Sequence, residues 1–295
     1  MDYTSGNVHD YYVLMKPRVM SLVIFTSLVG LILSPESIHP FLAIISITCI
    51  AIGAGASGVL NMWYDADIDS IMNRTLKRPI PSGSIVRSEA LTYGLVMSFG
   101  SVFLMGVLIN WVSAIFLAFT IFFYAVIYTI WLKRRTTQNI VIGGAAGAFP
   151  PIIGWLSTGA PLSIEPILLF LIIFFWTPPH FWALSVYRFN DYEKVKVPML
   201  PNVKSIADTK NQIVYYTIIL ILLSYTPLYS PLISYLYFAI ASVLNFVLIR
   251  SAVKLKKSVE VKDQPNSEGL RFFALTIFYL FSLFSALLID NLILL

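Results

Sequence analysis

Asn61, Asp65 and Asp69 recur at intervals of four, and Arg74, Lys77 and Arg78 follow within the next nine residues of the stretch NMWYDADIDSIMNRTLKRPIPSG. On a helix, that spacing puts the three oxygen-bearing side chains on one face, with Asp67 pointing roughly the opposite way. Two carboxylates at i and i+4 repel each other unless a cation lies between them. A set of hard oxygen ligands without His or Cys suits Mg²⁺, which takes a few carboxylates, waters and phosphate oxygens. Together these residue types make a Mg²⁺-bridged phosphate or diphosphate site, with Asn61, Asp65 and Asp69 toward the metal. Arg74, Lys77 and Arg78 would face the anion. The plainer reading is a solvated acidic loop paired with nearby bases. The motif's position argues against it: it follows Pro40 to Leu60, a stretch without one charged residue. Ionisable groups at a membrane boundary are expensive and usually functional.

The rest of the chain must position that stretch, and its composition says in which solvent. Of 295 residues, 58% are hydrophobic and 12% charged, and the mean hydropathy is +0.80. Soluble domains carry about 25% charged residues, so lipid is the natural surroundings of this surface. The single cysteine, Cys49, excludes an internal disulfide and any Cys-based metal cluster. The first fifteen residues hold no Lys or Arg, which fits neither a secretory signal nor a transit peptide. No low-complexity tract, fixed repeat or soluble linker stands out.

A spanning helix needs about 20 mostly apolar residues. Nine candidates meet that need, at roughly 17–34, 40–62, 89–109, 111–132, 138–157, 164–187, 211–228, 232–249 and 271–290. Brief connections, including SPESIHP, STGAPLS and TPLYSP, follow the odd-numbered spans. The bases lie elsewhere: Lys16 and Arg18 before the first span, Arg74, Lys77, Arg78 and Arg87 after the second, and Lys133, Arg134 and Arg135 after the fourth. Arg188, Lys194, Lys196, Lys204 and Lys210 follow the sixth, and Arg250, Lys254, Lys256, Lys257, Lys262 and Arg271 the eighth, which accounts for all 20. One-sided bases mark the cytoplasmic face. The expectation is an all-α polytopic bundle of nine transmembrane helices, N-terminus inside and C-terminus outside. The formal charge of +5 is then a topology signal and a patch for anionic lipid or substrate, and nucleic acid is not a partner.

Four ordered blocks carry a family resemblance: the acidic stretch Asn61–Gly83, YTIWLKRRTTQNIVIGGAAGAFPPIIGW from Tyr128 to Trp155, WTPPHFWAL from Trp176 to Leu184, and DYEKVKVPMLPNV from Asp191 to Val203. They resemble the UbiA-type intramembrane prenyltransferases, and within them most closely the heme farnesyltransferase (heme O synthase) branch. The family's NxxxDxxxD motif matches Asn61, Asp65 and Asp69. Its fold is a nine-helix bundle, here one transmembrane prenyltransferase domain over 1–295.

The resemblance implies transfer of a farnesyl group from farnesyl diphosphate to a vinyl group of heme B, with Mg²⁺ as cofactor. It further implies a site facing the cytoplasm in the cell membrane, and downstream heme-processing or oxidase-assembly proteins as partners. Lys133 and Arg134 would bind diphosphate or an acceptor carboxylate, beyond a stop-transfer role. GGAAGAFPP reads mainly as close packing. Pro178 and Pro179 break the hydrogen-bond ladder of the sixth span. His180 beside them either bonds a carbonyl freed by the prolines or touches the heme iron or the reacting vinyl group. His9 and His39 are incidental. Many members carry a second DxxxD after the sixth span. Here Asp191 is followed four residues on by Val195 and preceded four residues back by Tyr187. Asp191, Tyr187 and Lys194 would assist the diphosphate rather than complete a second carboxylate metal site. Trp63, Tyr64, Phe149 and Trp155 are candidate walls for the farnesyl tail. Other readings remain: a UbiA-type enzyme acting on an aromatic quinone precursor, a divalent-cation or phosphate transporter, and a phosphatidyltransferase, whose DxxDGxxAR pattern is absent.

Overall fold

The computed structural model describes residues 6–229, 234–260 and 265–294, and among these residues the regular elements are all helical. Among the described residues, eight helices are long and apolar enough to cross a membrane, or nine if the bent pair α1 (Val8–Leu14) and α2 (Pro17–Ile32), inclined at 58°, forms one span. The others are α3 (Pro40–Tyr64), α5 (Arg87–Leu108), α6 (Trp111–Phe122) with its continuation to Leu132, α7 (Asn139–Ala148) with α8 (Pro150–Ser157), α9 (Ile164–Tyr187), α12 (Ile206–Ser224) with the turn at 226–229, α13 (Tyr235–Lys257) and α14 (Ser267–Leu294). Short helices α4 (Ala66–Asp69), α10 (Phe189–Lys194) and α11 (Leu200–Val203) lie in the connections. This is the expected polytopic bundle. Some ends move: α13 runs two turns beyond 249, so Lys254, Lys256 and Lys257 stand on a helix rather than in a loop. Lys262, 230–231 of TPLYSP and the first two residues of the span at 232–249 lie outside the described residues.

The chain divides into two compact units, Met1–Arg134 with Ile153–Pro161, and Arg135–Ile152 with Leu162–Leu295. In the first, α3 packs against α2, α5 and α6. Proline begins α2 and α3, where its missing N–H leaves no bond unmade. α2 comes so close to the 153–161 segment that a Cβ on Gly154 would stand 2.0 Å from the Ser27 carbonyl oxygen. Residues Phe123–Leu132 wind as a π-helix. Thr129 donates its hydroxyl to the Tyr124 carbonyl at 2.8 Å, and the Lys133 amide donates to Tyr128 at 2.9 Å, both five residues back. Such windings are rare and concentrate at functional sites.

In the second unit, α9 is central, packed by α7, α12 and α14. A Cβ on Gly144 would meet the Thr177 side chain at 2.9 Å, so α7 and α9 touch nearly backbone to side chain. α9 stays helical from Ile164 to Tyr187 through Pro178 and Pro179. The ladder lacks the two N–H donors of the prolines, as expected, but the helical winding carries on across them. The fifth span is the one that breaks, at Phe149 between α7 and α8. Asp290 is buried, which would be costly for a lone carboxylate in lipid. It accepts from the Ser234 and Tyr237 amides and the Ser234 hydroxyl. An acid from α14 thereby satisfies the start of α13 and lies at the positive end of that helix dipole.

Candidate active site

α3 ends at Tyr64 and α4 begins at Ala66, yet the helical bonding carries through. The Asp65 amide donates to Asn61 at 3.0 Å and the Asp69 amide to Asp65 at 2.8 Å. Asn61, Asp65 and Asp69 therefore keep one face and are buried, at 4%, 1% and 4% exposure. Asp67 points away, its side chain 57% exposed. The separation read from the spacing survives the small break at Asp65.

Each buried oxygen group is met by a cation of the protein. Lys133 pairs with Asp65 Oδ2, and Arg134 reaches Asp65 Oδ1 at 3.4 Å. Arg78 binds Asp69 at 2.6 Å, and Lys16 Nζ lies 2.6 Å from Asn61 Oδ1. Asn61 Nδ2 donates to Asp65 Oδ2 at 2.9 Å and to Thr129 Oγ1 at 3.0 Å, which turns Oδ1 toward Lys16. The π-helix thus supplies the hydroxyl that anchors Asn61, and the residue that caps its end supplies the lysine against Asp65. Arg78 is carried by the loop after α4, where Thr75 donates to the Asp69 carbonyl at 2.8 Å and the Arg78 amide donates to Thr75 at 2.9 Å. Arg134 forks onto Asp67 with bonds of 2.7 and 2.8 Å and lies over the Tyr64 ring at 4.7 Å. That fork, through the Arg134 hydrogen bonds first, holds the Asp67 carboxyl below its ordinary range, and it raises the Arg134 guanidinium.

Of the residues expected here, Asn61, Asp65, Asp69, Arg78, Lys133 and Arg134 come together. Arg74 and Lys77 are exposed on the same loop, and among the described residues they make no ion pair with these carboxylates. Lys16 and Thr129 join without having been singled out. The signal for Lys16 was available: a base immediately before a helix-starting proline, on the face the charge count assigns to the acidic stretch. Of the expected walls, Tyr64 lies under Arg134 as described. Trp63 packs against the cluster of Leu14, Val59, Met62, Ile85 and Ala90, and Trp155 is buried with its indole N–H on the Pro161 carbonyl at 3.0 Å.

In the second unit His180 is buried between Trp176 and Phe273, ring centroids 4.2 and 4.3 Å away. Its Nδ1 bonds Thr276 Oγ1 at 2.7 Å, rather than a carbonyl freed by the prolines. The Thr276 hydroxyl donates to the Phe273 carbonyl at 2.7 Å. Two turns further on, Arg188 stacks on Tyr187 at 4.7 Å and faces Asp191 at 3.8 Å. Arg188 is a neighbour of Asp191 that the sequence reading missed, while Lys194 is exposed at the end of α10.

The donor set fits a hard divalent ion. All three groups offer oxygen, all are buried, and each is already held by a basic side chain. Asn61, Asp65 and Asp69 are the residues that would hold the metal, with lysine and arginine beside them to receive phosphate oxygens.

These features define a class: a polytopic helical membrane protein with buried carboxylates and an amide held under basic side chains at a helix end. The chain belongs to the UbiA prenyltransferase family, whose pattern matches residues 23–289. A protoheme IX farnesyltransferase from Rhizobium rhizogenes (strain K84) is 54% identical over 98% of this chain and 91% of its own length. Another so named, from Agrobacterium fabrum (strain C58), is 50% identical over 98% and 91%. In fold, the chain is similar to a digeranylgeranylglyceryl phosphate synthase, with a TM-score of 0.77 at 16% identity over 96% of this chain and 98% of that one. It is also similar to a UbiA homolog from Archaeoglobus fulgidus bound to GPP and Mg²⁺, with a TM-score of 0.61 at 16% identity over 94% and 99%.

Proposed function

We propose that this protein transfers the farnesyl group of farnesyl diphosphate to a vinyl group of heme B, giving heme O and diphosphate. The observation that carries the reading is the buried Asn61–Asp65–Asp69 face under Lys16, Lys133, Arg134 and Arg78. It stands in a chain about half identical to relatives named for that reaction.

When bound, Mg²⁺ would neutralise diphosphate charge and favour departure of the leaving group. Asn61, Asp65 and Asp69 are the residues that would hold it. Lys133 and Arg78, freed from the carboxylates, take diphosphate oxygens and stabilise the charge that develops as the C1–O bond breaks. Arg134 keeps Lys133 and the Asp67 side in register, and Arg74 and Lys77 guide the anion from the exposed loop. The bond's electron pair leaves with diphosphate, and the allylic cation is sheltered from water among apolar side chains. The vinyl π pair then forms the new carbon–carbon bond to C1. Water adds to the heme-side cation and loses a proton, giving the hydroxyethylfarnesyl arm. His180 contacts the heme iron or the reacting vinyl group. Tyr187, Asp191 and Lys194 assist the diphosphate. The whole chain acts as one prenyltransferase domain in the cell membrane, with its N-terminus and site cytoplasmic, and passes heme O to heme-processing or oxidase-assembly proteins.

Membranes containing the protein, given heme B, farnesyl diphosphate and Mg²⁺, should yield a heme heavier by a farnesyl group and a hydroxyl, read by mass spectrometry. EDTA should stop the reaction. Prenylation of a hydroxybenzoate or naphthoate with heme ignored would overturn the acceptor. No consumption of prenyl diphosphate would overturn the enzyme reading.

A further inference from the structure

Lys16 occupies the corner between α1 and α2 with φ 56° and ψ 56°. Left-handed backbone is strained for a residue with a Cβ, and a following proline restricts it further. The corner persists because it lies on glycines of α3. A Cβ on Gly55 would meet Met15 Cβ at 3.2 Å, and one on Gly58 would meet the Met15 carbonyl oxygen at 3.2 Å and Lys16 Cδ at 3.5 Å. The lysine stem therefore crosses Gly58 and brings Nζ to 2.6 Å from Asn61 Oδ1. Strained backbone held by packing gathers at functional sites, and here it serves one polar contact. That contact is with the one atom Asn61 has to offer a metal, since its Nδ2 is committed to Asp65 and Thr129.

We propose that Lys16 is a further residue of the prenyl diphosphate site: it holds the amide oxygen of Asn61 until substrate arrives, and moves onto the diphosphate when Asn61 turns to the divalent ion. The inference rests on the reading of the site given above. Its consequence is coupling. A divalent ion alone must displace Lys16, Lys133 and Arg78 and leave them without an anion. An ion arriving with diphosphate gives all three new partners. Metal and prenyl diphosphate then bind more tightly together than apart, reciprocally. Lys16 is the clean probe of this coupling, because its partner is a neutral amide and its removal strands no buried carboxylate. Its flexible stem allows the ammonium to swing between the two oxygens.

The experiment uses the full chain in detergent, with Mn²⁺ titrated by electron paramagnetic resonance, alone and with the unreactive farnesyl thiolodiphosphate. In Lys16→Met, Mn²⁺ alone should bind about tenfold more tightly than in wild type, and farnesyl thiolodiphosphate about 10- to 100-fold more weakly. Lys16→Arg should bring the thiolodiphosphate affinity back to within about threefold of wild type. If Lys16→Met does not fold by its melting curve, Lys16→Asn carries the same comparison, because asparagine tolerates left-handed backbone. Unchanged affinities for both probes in the Lys16 variants overturn the inference alone. Wild-type protein that binds neither probe overturns the site reading beneath it.

Discussion

Asp65 has the densest set of partners in the site, with Asn61, Lys133 and Arg134 all bonded to a carboxylate that is 1% exposed. Asp65→Asn or Asp69→Asn should lower turnover about 100-fold or more. Each should reduce stability by about 1–3 kcal/mol, because a basic partner is left without its anion. Kinetics and melting in detergent read the two effects separately, and full activity in Asp65→Asn would contradict its role. Asp67 differs, since its lowered carboxyl pKa comes from Arg134 on an exposed side chain. That stabilisation is present above the unfolded-state pKa and is lost as pH falls through the lower folded-state value. Salt screens such a pair, so Asp67→Asn should stay within about fivefold of wild-type activity near neutral pH. At His180, phenylalanine preserves the stacking against Trp176 and Phe273 but removes Nε2. His180→Phe should fold and bind prenyl diphosphate normally while losing its affinity for heme, followed by the Soret band. Retained heme affinity would return His180 to a packing role.

Helices here meet at distances that only glycine allows, and the glycines differ in what surrounds them. Gly154→Ala would drive a Cβ to 2.0 Å from the Ser27 carbonyl, where backbone on both sides has no flexible end to yield. It should cost about 3 kcal/mol or more. Gly144→Ala meets Thr177 carbons at 2.9 Å and should cost about 1–3 kcal/mol. Gly147→Ala meets nothing within 4 Å and should stay within about 0.5 kcal/mol. Melting temperatures of the three variants should rank in that order, and a neutral Gly154→Ala would contradict the close approach. The π-helix belongs to this scale too. Restoring α-helical winding by deleting one residue from Phe123–Leu132 would rotate Thr129 and Lys133 relative to one another. Turnover should fall much further than helix content measured by circular dichroism.

At the scale of the molecule, the bent pair α1 and α2 decides the parity. If it spans as one element, the described helices make nine crossings and the termini lie on opposite sides. If it does not, eight crossings bring the termini to one side. Reporter fusions at both ends should place the N-terminus in the cytoplasm and the C-terminus outside, as the one-sided bases require.

The spans and the common face of Asn61, Asp65 and Asp69 follow from the sequence by itself, because hydropathy and helical period are local properties of the chain. The resemblance carried by the four motif blocks was equally local. What only the tertiary structure decided depends on contacts between residues far apart in the chain. Lys16 meets Asn61 across 45 positions, Thr129 meets it across 68, and Thr276 meets His180 across 96. No period or motif encodes such pairs; packing on α3 and α9 selects them. That the sixth span keeps its winding across Pro178–Pro179, where the ladder lacks two donors, has the same reason. Proline removes a backbone donor and strains the preceding turn, but α7, α12 and α14 packed around α9 can hold it helical where local propensity alone would not. The carboxylates that should repel one another are likewise reconciled only in three dimensions, by Lys133 at the end of the π-helix and Arg78 from the loop after α4.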